Sequence, residues 1–188
     1  MNADKFCVSG HVSLSVHCSS KHTIDAGVAV SAMTETLRDR LKQTEPFSGP
    51  DQEAMLALLV ASSAVRRSLN DICEQHGILA SQYNILRILD GGPPEGYPRC
   101  DIIDRMIDRG PDVTRLVDEL EEQGLVERQR SQEDRRMMMH RITDEGRALL
   151  HEVTDDLGVV RDRFDEALSD EELGQLARYC TGVAQRFE

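Results

Sequence analysis

The stretch from Pro111 to Thr143 decides the fold and reads PDVTRLVDELEEQGLVERQRSQEDRRMMMHRIT. Its first part has apolar residues at helical spacing, which predicts a helix with one buried stripe. The stripe consists of Val113, Leu116, Val117 and Leu120. Pro111 suits the first helical position, where its missing N–H costs nothing. We expect Asp112 in the first turn, where its charge favours the helix dipole, and Gly124 as the helix stop.

An extended hairpin follows this helix. Leu125 and Val126 start one strand, and residues 137–142 can return antiparallel to it. The tip is polar and is bracketed by Arg128, Arg130, Arg135 and Arg136. A helix followed by an Arg-edged hairpin is the layout of a winged helix-turn-helix, in which the helix enters the major groove of DNA and the hairpin touches backbone or minor groove. The predicted fold is mainly α with a small β-wing: a winged helix-turn-helix lobe plus a helical dimerisation region.

The same stretch resembles the MarR family of bacterial transcriptional regulators. Four motifs carry the resemblance in the family's order: Val113-Thr114-Arg115-Leu116-Val117-Asp118 with Leu120-Glu121, Gly124-Leu125-Val126-Glu127-Arg128, Asp134-Arg135-Arg136, and Ile142-Thr143-Asp144-Glu145-Gly146. The resemblance implies a dimer that binds a pseudo-palindromic operator on double-stranded DNA. It also implies that Arg136 or Arg135 reaches the minor groove and that Asp134 supports the wing.

The resemblance further implies a cavity where the DNA-binding lobe meets the dimer helices. A small phenolic or other organic effector bound there would change the spacing of the lobes and release DNA, so the regulator is expected to be a repressor. Tyr83, Arg87 and residues near Cys73 are the candidates for lining this cavity.

The DNA-binding residues expected from this reading are Asp112, Thr114, Arg115, Arg128, Arg130, Arg135 and Arg136. Thr114 and Arg115 lie opposite the apolar stripe, where a hydroxyl and a guanidinium can contact bases and phosphates. The alternative is a solvated face on which Arg115 pairs with Glu119 at i,i+4.

Patterns on the N-terminal side predict three more helices. One runs from Asp51 to His76 and ends at Gly77, and Ser81 can cap a second that reaches Asp90. Glu95 to Pro98 reads as a loop. The last runs from about Arg99 to Asp108 and buries Ile102, Ile103, Met106 and Ile107.

The C-terminal part predicts two long amphipathic helices. Thr143 can cap the first, whose apolar stripe continues to Leu168. A capping box at residues 169–172 opens the last helix, which is expected to bury Leu173, Leu176, Ala177, Cys180, Val183 and Phe187. This apolar surface exceeds what a monomeric winged helix needs and predicts a two-fold homodimer.

The domain organisation follows from these patterns. Residues 1–50 form an N-terminal arm, and residues 51–187 form the MarR-like domain. Within it, residues 81–142 are the DNA-binding lobe, and residues 51–76 plus 143–187 are the dimerisation helices. Two readings of the arm stay open: a functional start near Met33, or a genuine disordered arm.

Charge fits a specific rather than an indiscriminate DNA-binding protein. The chain of 188 residues has a formal net charge of −12, which repels stray phosphates. From Arg128 to Arg141, five Arg face Glu133 and Asp134, so the local balance is +3 with histidine neutral. A basic patch on an acidic body can still dock on DNA.

The sequence lacks the signals that are typical of membrane proteins and of enzymes. No run of 18 apolar residues predicts a membrane span, and no catalytic motif predicts an enzyme. Five Cys without a Cys-x-x-Cys pair fit a reducing cytoplasm, with no cofactor or metal expected. Met137, Met138 and Met139 should alternate across a strand, and packing is favoured over a soft-metal site with His140.

Two alternative functions stay open. In the first, oxidation of a cysteine switches the regulator. Cys73 reads as a small buried hydrophobe, and Cys100 is undecided. In the second, the chain is an interaction adaptor that has kept the winged fold without binding DNA.

Overall fold

The structure, a computed structural model, describes residues 36–108, 112–131 and 134–187. Contacts divide the chain into two units between Phe47 and Ser48, and only the first helix below belongs to the first unit. The elements are α1 (Leu37–Arg40), α2 (Pro50–Gln75), α3 (Ala80–Asp90), β1 (Tyr97–Pro98), α4 (Arg99–Arg105), α5 (Val113–Glu122), β2 (Val126–Arg130), β3 (Met138–Ile142), α6 (Asp144–Asp156), α7 (Gly158–Ala167) and α8 (Asp170–Ala184). The predicted fold class, mainly α with a small β-wing, is confirmed.

The sheet has three antiparallel strands in the order β1-β3-β2. Arg128 of β2 and Tyr97 of β1 both pair with His140 of β3, one from each side. The predicted loop from Glu95 to Pro98 is therefore wrong at its end, since Tyr97 and Pro98 form β1. Two residues are too few to show the alternation by which a strand is recognised in sequence.

Two glycines end helices as predicted. Gly124 has φ +74° and Gly77 also has φ +74°, a left-handed conformation that glycine adopts without the Cβ clash of other residues. After α5, Gly124 N–H donates to Glu121 O and Leu125 N–H donates to Leu120 O, both at 3.0 Å. This closure turns the chain directly from α5 into β2.

The core lies where α3, α4 and α5 meet the C-terminal end of α2 and the inner face of α6. The fully buried apolar side chains are Cys73, Ile85, Leu86, Ile102, Val117, Leu120 and Val153. Val113 and Leu116 are buried as well, so the stripe predicted for α5 is confirmed. Burying each such aliphatic side chain stabilises the fold by about 1.5–3 kcal/mol.

Two boundaries in the N-terminal half differ from the prediction. Leu79, rather than Ser81, is the N-cap of α3; its side chain makes no capping hydrogen bond, but Gln82 Oε1 accepts the Leu79 N–H at 2.9 Å. Helix α4 ends at Arg105, since Met106 has extended backbone. Ile102 and Met106 are buried as predicted, but Ile107 lies beyond the helix and is 78% exposed.

The C-terminal half follows its predicted caps but not its predicted lengths. Thr143 Oγ1 accepts the Gly146 N–H at 3.0 Å, and the Ser169–Glu172 capping box forms. The stripe that predicted one helix to Leu168 is interrupted at Leu157, so α6 and α7 are separate. Gly158, a poor helix former, follows the break directly.

Helix α8 does not bury the six residues predicted for it. None of its residues is buried in the single chain, and Leu176, Tyr179, Val183 and Phe187 are exposed. The periodicity identified the helix correctly, but it cannot say whether the apolar face meets the same chain or another one.

Some predictions concern residues that the structure does not describe. The arm from residue 1 to residue 35, with its candidate start at Met33, lies outside the described residues. So do Pro111 at the start of α5 and Gln132 and Glu133 at the hairpin tip.

Candidate nucleic-acid interface

Helix α5 presents a polar face opposite its buried stripe. Thr114 and Arg115 are exposed on this face, in the first turn of the helix. Asp112 is the N-cap rather than a first-turn residue, since the helix begins at Val113, two positions later than predicted, and its side chain makes no capping hydrogen bond. The described N-terminal end of α5 thus offers a hydroxyl, a guanidinium and a carboxylate to solvent.

Arg115 pairs with acidic residues of its own helix. Its guanidinium contacts the Glu119 carboxylate at i,i+4, and the Arg115 Nη2 to Asp112 Oδ2 distance is 3.7 Å. A pair of this kind on an exposed helix contributes only about 0.2–0.5 kcal/mol. Arg115 can therefore leave it readily for a stronger acceptor.

The hairpin from Val126 to Ile142 forms the wing, and Asp134 organises its return turn. Asp134 Oδ1 accepts the Arg136 N–H at 2.9 Å, and Asp134 O accepts the Met137 N–H at 2.9 Å. Ser131 N–H donates to Met137 O at 3.0 Å across the hairpin. These bonds fix the backbone on which the tip arginines stand.

The wing carries an exposed arginine cluster. Arg128, Arg130, Arg135 and Arg136 are all exposed, and the structure records no ion pair for them among residues 36–108, 112–131 and 134–187. By contrast, Arg141 pairs across the ladder with Glu127. The four arginines form a cationic edge suited to phosphate oxygens.

A buried histidine of the wing lies against α5, a position that the sequence pattern did not predict. His140 is 2% exposed. Its Nε2 lies 3.1 Å from Glu121 Oε1 of α5 without the alignment of a hydrogen bond, and its Nδ1 lies 3.4 Å from Tyr97 O of β1. Burial lowers the pKa of His140, and the nearby Glu121 carboxylate offsets part of that effect.

The methionines before His140 do not show the predicted alternation. Met137 is exposed, and Met138 and Met139 are both half-buried. Within the described residues, no group of three His, Cys, Asp or Glu side chains could hold a metal ion.

Comparison with known proteins identifies the family. The MarR family model matches residues 76–137. The regulator MhqR of Bacillus subtilis (strain 168), an HTH-type transcriptional regulator, is 29% identical over 138 residues, 71% of this chain and 91% of that protein. The crystal structure of a MarR transcription factor from Planctomyces limnophilus is 34% identical with a TM-score of 0.56, covering 72% of this chain and 98% of that one.

The chain belongs to the MarR family of transcriptional regulators.

The fold itself recurs in a more distant solved structure. The MepR–DNA complex of S. aureus is 23% identical with a TM-score of 0.63, covering 69% of this chain and 95% of that one. Within the described residues of this MarR-family chain, no helix is long and apolar enough to cross a bilayer.

The two residues expected at an effector cavity lie apart from two clefts found in the described part of this MarR-family chain. One cleft of about 650 Å³ lies between residues 93–98 and the wing. Another of about 330 Å³ lies between the start of α4 and the wing. Neither is lined by Tyr83 or Arg87. Tyr83 is half-buried with its hydroxyl 3.2 Å from Thr154 Oγ1 of α6, and Arg87 is exposed.

The cysteines of the described chain occupy different environments. Cys73 is fully buried, and burial raises the pKa of its thiol, as expected of an inert core cysteine. Cys100 is exposed, with its Sγ 3.5 Å from Asp101 Oδ1. The described surroundings of Cys100 add no support for a redox switch at this position.

Proposed function

We propose that this MarR-family protein binds a pseudo-palindromic operator as a homodimer and acts as a repressor that a small organic ligand releases. The observation that supports DNA binding is that the chain exposes both Thr114 and Arg115 on α5 and the arginine cluster on the wing. In this docking, α5 enters the major groove and the wing follows the adjacent backbone or minor groove. The MepR–DNA complex, which shares the fold, supports it.

Charge explains how an acidic protein could still select DNA. The body of the chain, at −12, opposes indiscriminate phosphate contact. The exposed wing arginines supply local attraction, and we assign Arg128, Arg130, Arg135 and Arg136 to phosphate or minor-groove contacts. Asp112, Thr114 and Arg115 are assigned to the major groove. Asp134 is assigned to wing support, because its bonds to Arg136 and Met137 hold the return turn.

Dimerisation is supported by apolar side chains that one chain leaves uncovered. They lie on α2 and in the C-terminal segment: Met55, Leu58, Leu59, Val159, Leu176, Tyr179, Val183 and Phe187. A second copy would cover them and place two α5 helices about 34–36 Å apart, one helical turn of DNA. In this proposal residues 51–76 and 143–187 form the dimer, residues 81–142 the DNA-binding lobe, and residues 1–50 an arm.

The effector is proposed to bind between α3 and α6, where Tyr83 already reaches Thr154. Arg87 lies one turn further along α3 and could pair with an acidic group of the ligand. A ligand at this position would contact the junction between the lobe and the dimer helices, and would thereby change the spacing of the two lobes.

The test is selection of DNA from a random-sequence pool by the purified protein, followed by gel-shift titration against the selected site and against DNA upstream of its own gene. We expect a selected site with two-fold symmetry and affinity at least about 10³-fold above that for scrambled DNA. Selection of no sequence at all would overturn the proposal and favour the adaptor function.

A further inference from the structure

A carboxylate bridge connects the interior of the lobe to the guanidinium proposed to read DNA. Gln82 of α3 is 3% exposed, and its Nε2 donates to Glu119 Oε2 at 3.1 Å. The other oxygen of the same carboxylate, Oε1, accepts from Arg115 Nη1. Each oxygen of Glu119 thus holds one partner, one buried and one exposed.

The buried end of this bridge is fixed by the backbone. Gln82 Oε1 accepts the N–H of Leu79, the N-cap of α3, at 2.9 Å. If the amide rotated away, the Leu79 N–H at the start of α3 would lose its protein acceptor. Gln82 thus orients the Glu119 carboxylate from α3, and in the free chain the Arg115 guanidinium lies against that carboxylate.

Helix α5 is acidic apart from this arginine. Between Val113 and Glu122 there are four acidic residues and one Arg. Asp118 is engaged elsewhere, because its Oδ1 accepts from Arg99 Nη2 of α4 at 2.5 Å. Glu119 is the acidic residue that touches Arg115 on the side away from the N-cap. A phosphate approaching this part of α5 meets Glu119 together with Arg115.

We infer that Glu119, held by Gln82, is the positioning residue that makes Arg115 specific for its base pair. The carboxylate presents the guanidinium in one orientation, and its charge disfavours a phosphate in place of the base edge. Arg115 makes its two hydrogen bonds to the base when the correct base pair faces it. When a different base pair faces it, Arg115 stays paired with Glu119. This inference rests on the proposed function.

The experiment compares two substitutions that each remove one carboxylate from α5. Glu119→Gln breaks the bridge to Arg115, whereas the matched control Asp118→Asn breaks the pair with Arg99. Competition binding is measured at several salt concentrations. The probes are the selected operator, scrambled DNA, and operators with one base pair changed at each position.

We expect Glu119→Gln to bind scrambled DNA more tightly and to lose about tenfold of its preference at one base pair per half-site. That loss is about 1.4 kcal/mol, within what one bidentate arginine contact provides. Asp118→Asn should change the affinity of the protein for all of the DNA probes by the same factor. If the two variants change every probe equally, only net charge matters and the inference is wrong.

A third variant removes the buried end without changing charge. Gln82→Met should lose preference at the same base pair without gaining affinity for scrambled DNA, while circular dichroism checks that the lobe stays folded. If Gln82→Met does not fold, the comparison between Glu119→Gln and Asp118→Asn still decides. A wild-type protein that prefers no sequence would instead overturn the proposed function itself.

Discussion

Arg115 and Arg136 are both exposed arginines, yet their surroundings predict different roles. Arg115 stands on a rigid helix and is oriented by Glu119, so its fork can read guanine O6 and N7. Arg136 stands on the wing turn, where its own N–H is held by Asp134 and its side chain reaches outward. Such a side chain meets phosphate, or senses the width of the minor groove, more than it reads base identity.

We predict that Arg115→Ala weakens operator binding by about 1–3 kcal/mol and leaves non-specific binding nearly intact. Arg136→Ala should weaken both more evenly and reduce the salt slope by about one counterion per subunit. Competition binding over a salt series measures both quantities. Identical behaviour of both variants and the wild type would mean that these arginines are merely solvated, and reversed roles would mean that the docking orientation is wrong.

At the residue scale, partners close in the sequence could be predicted, but partners distant in the sequence could not. Periodicity placed Arg115 opposite the stripe of α5, and the i,i+4 rule gave its pairing with Glu119. The contact between Gln82 and Glu119 joins residues 37 positions apart in the chain. No local pattern contains that information, because it depends on how α3 packs across α5.

Between elements, the same limit applies to His140. In the sequence, His140 is only a neighbour of three methionines. In the structure, it stands on β3 and lies close to both α5 and β1. Strands β2 and β3 were predictable from the turn-like tip and its flanking apolar residues. The two-residue β1 was not predictable. The contact of His140 with Tyr97 O was not predictable either, because it depends on β1 pairing with β3.

His140 makes stability depend on pH in a direction that can be tested. Burial lowers the pKa of His140 below its ordinary value of 6.5, while Glu121 and Tyr97 O raise it and Arg99 and Arg128 lower it further. The folded chain therefore binds this proton less readily than the unfolded chain. Its contribution to stability is present above the unfolded pKa and is lost as pH falls from there toward the folded pKa.

We predict that His140→Gln, whose amide does not titrate and can donate to Tyr97 O, flattens the fall in melting temperature between about pH 7.5 and 5.5. The matched control is His151→Gln, on an exposed helical position. Thermal melts followed by circular dichroism measure both. A wild-type slope retained in His140→Gln would assign the pH dependence to other groups.

For the whole molecule, the decisive quantity is the apolar surface that a single chain leaves uncovered. Helix α8 was predicted from its capping box and its stripe, and both are present, but the stripe faces solvent. Apolar faces of this extent in a water-soluble helix need a partner surface. The sequence could show that the face exists, and its exposure in the described chain is the observation behind the proposed dimer.

The final prediction is that the protein is a dimer that separates when this face becomes charged. Val183→Glu puts a carboxylate among Leu176, Tyr179 and Phe187, where burial in an interface would leave it unpaired at a cost of several kcal/mol. Gln185→Glu adds the same charge at the C-cap on the opposite side of the helix, where it stays in water.

Sedimentation equilibrium at micromolar concentration should give twice the chain mass of 21.1 kDa for wild type and Gln185→Glu, and one chain mass for Val183→Glu. Because each monomer can occupy only one half-site, Val183→Glu should also lose operator affinity while keeping its preference among half-site sequences. A wild type that sediments as a single chain would remove the basis for two-fold operator recognition. Dissociation by Gln185→Glu as strong as that by Val183→Glu would place the interface elsewhere on the molecule.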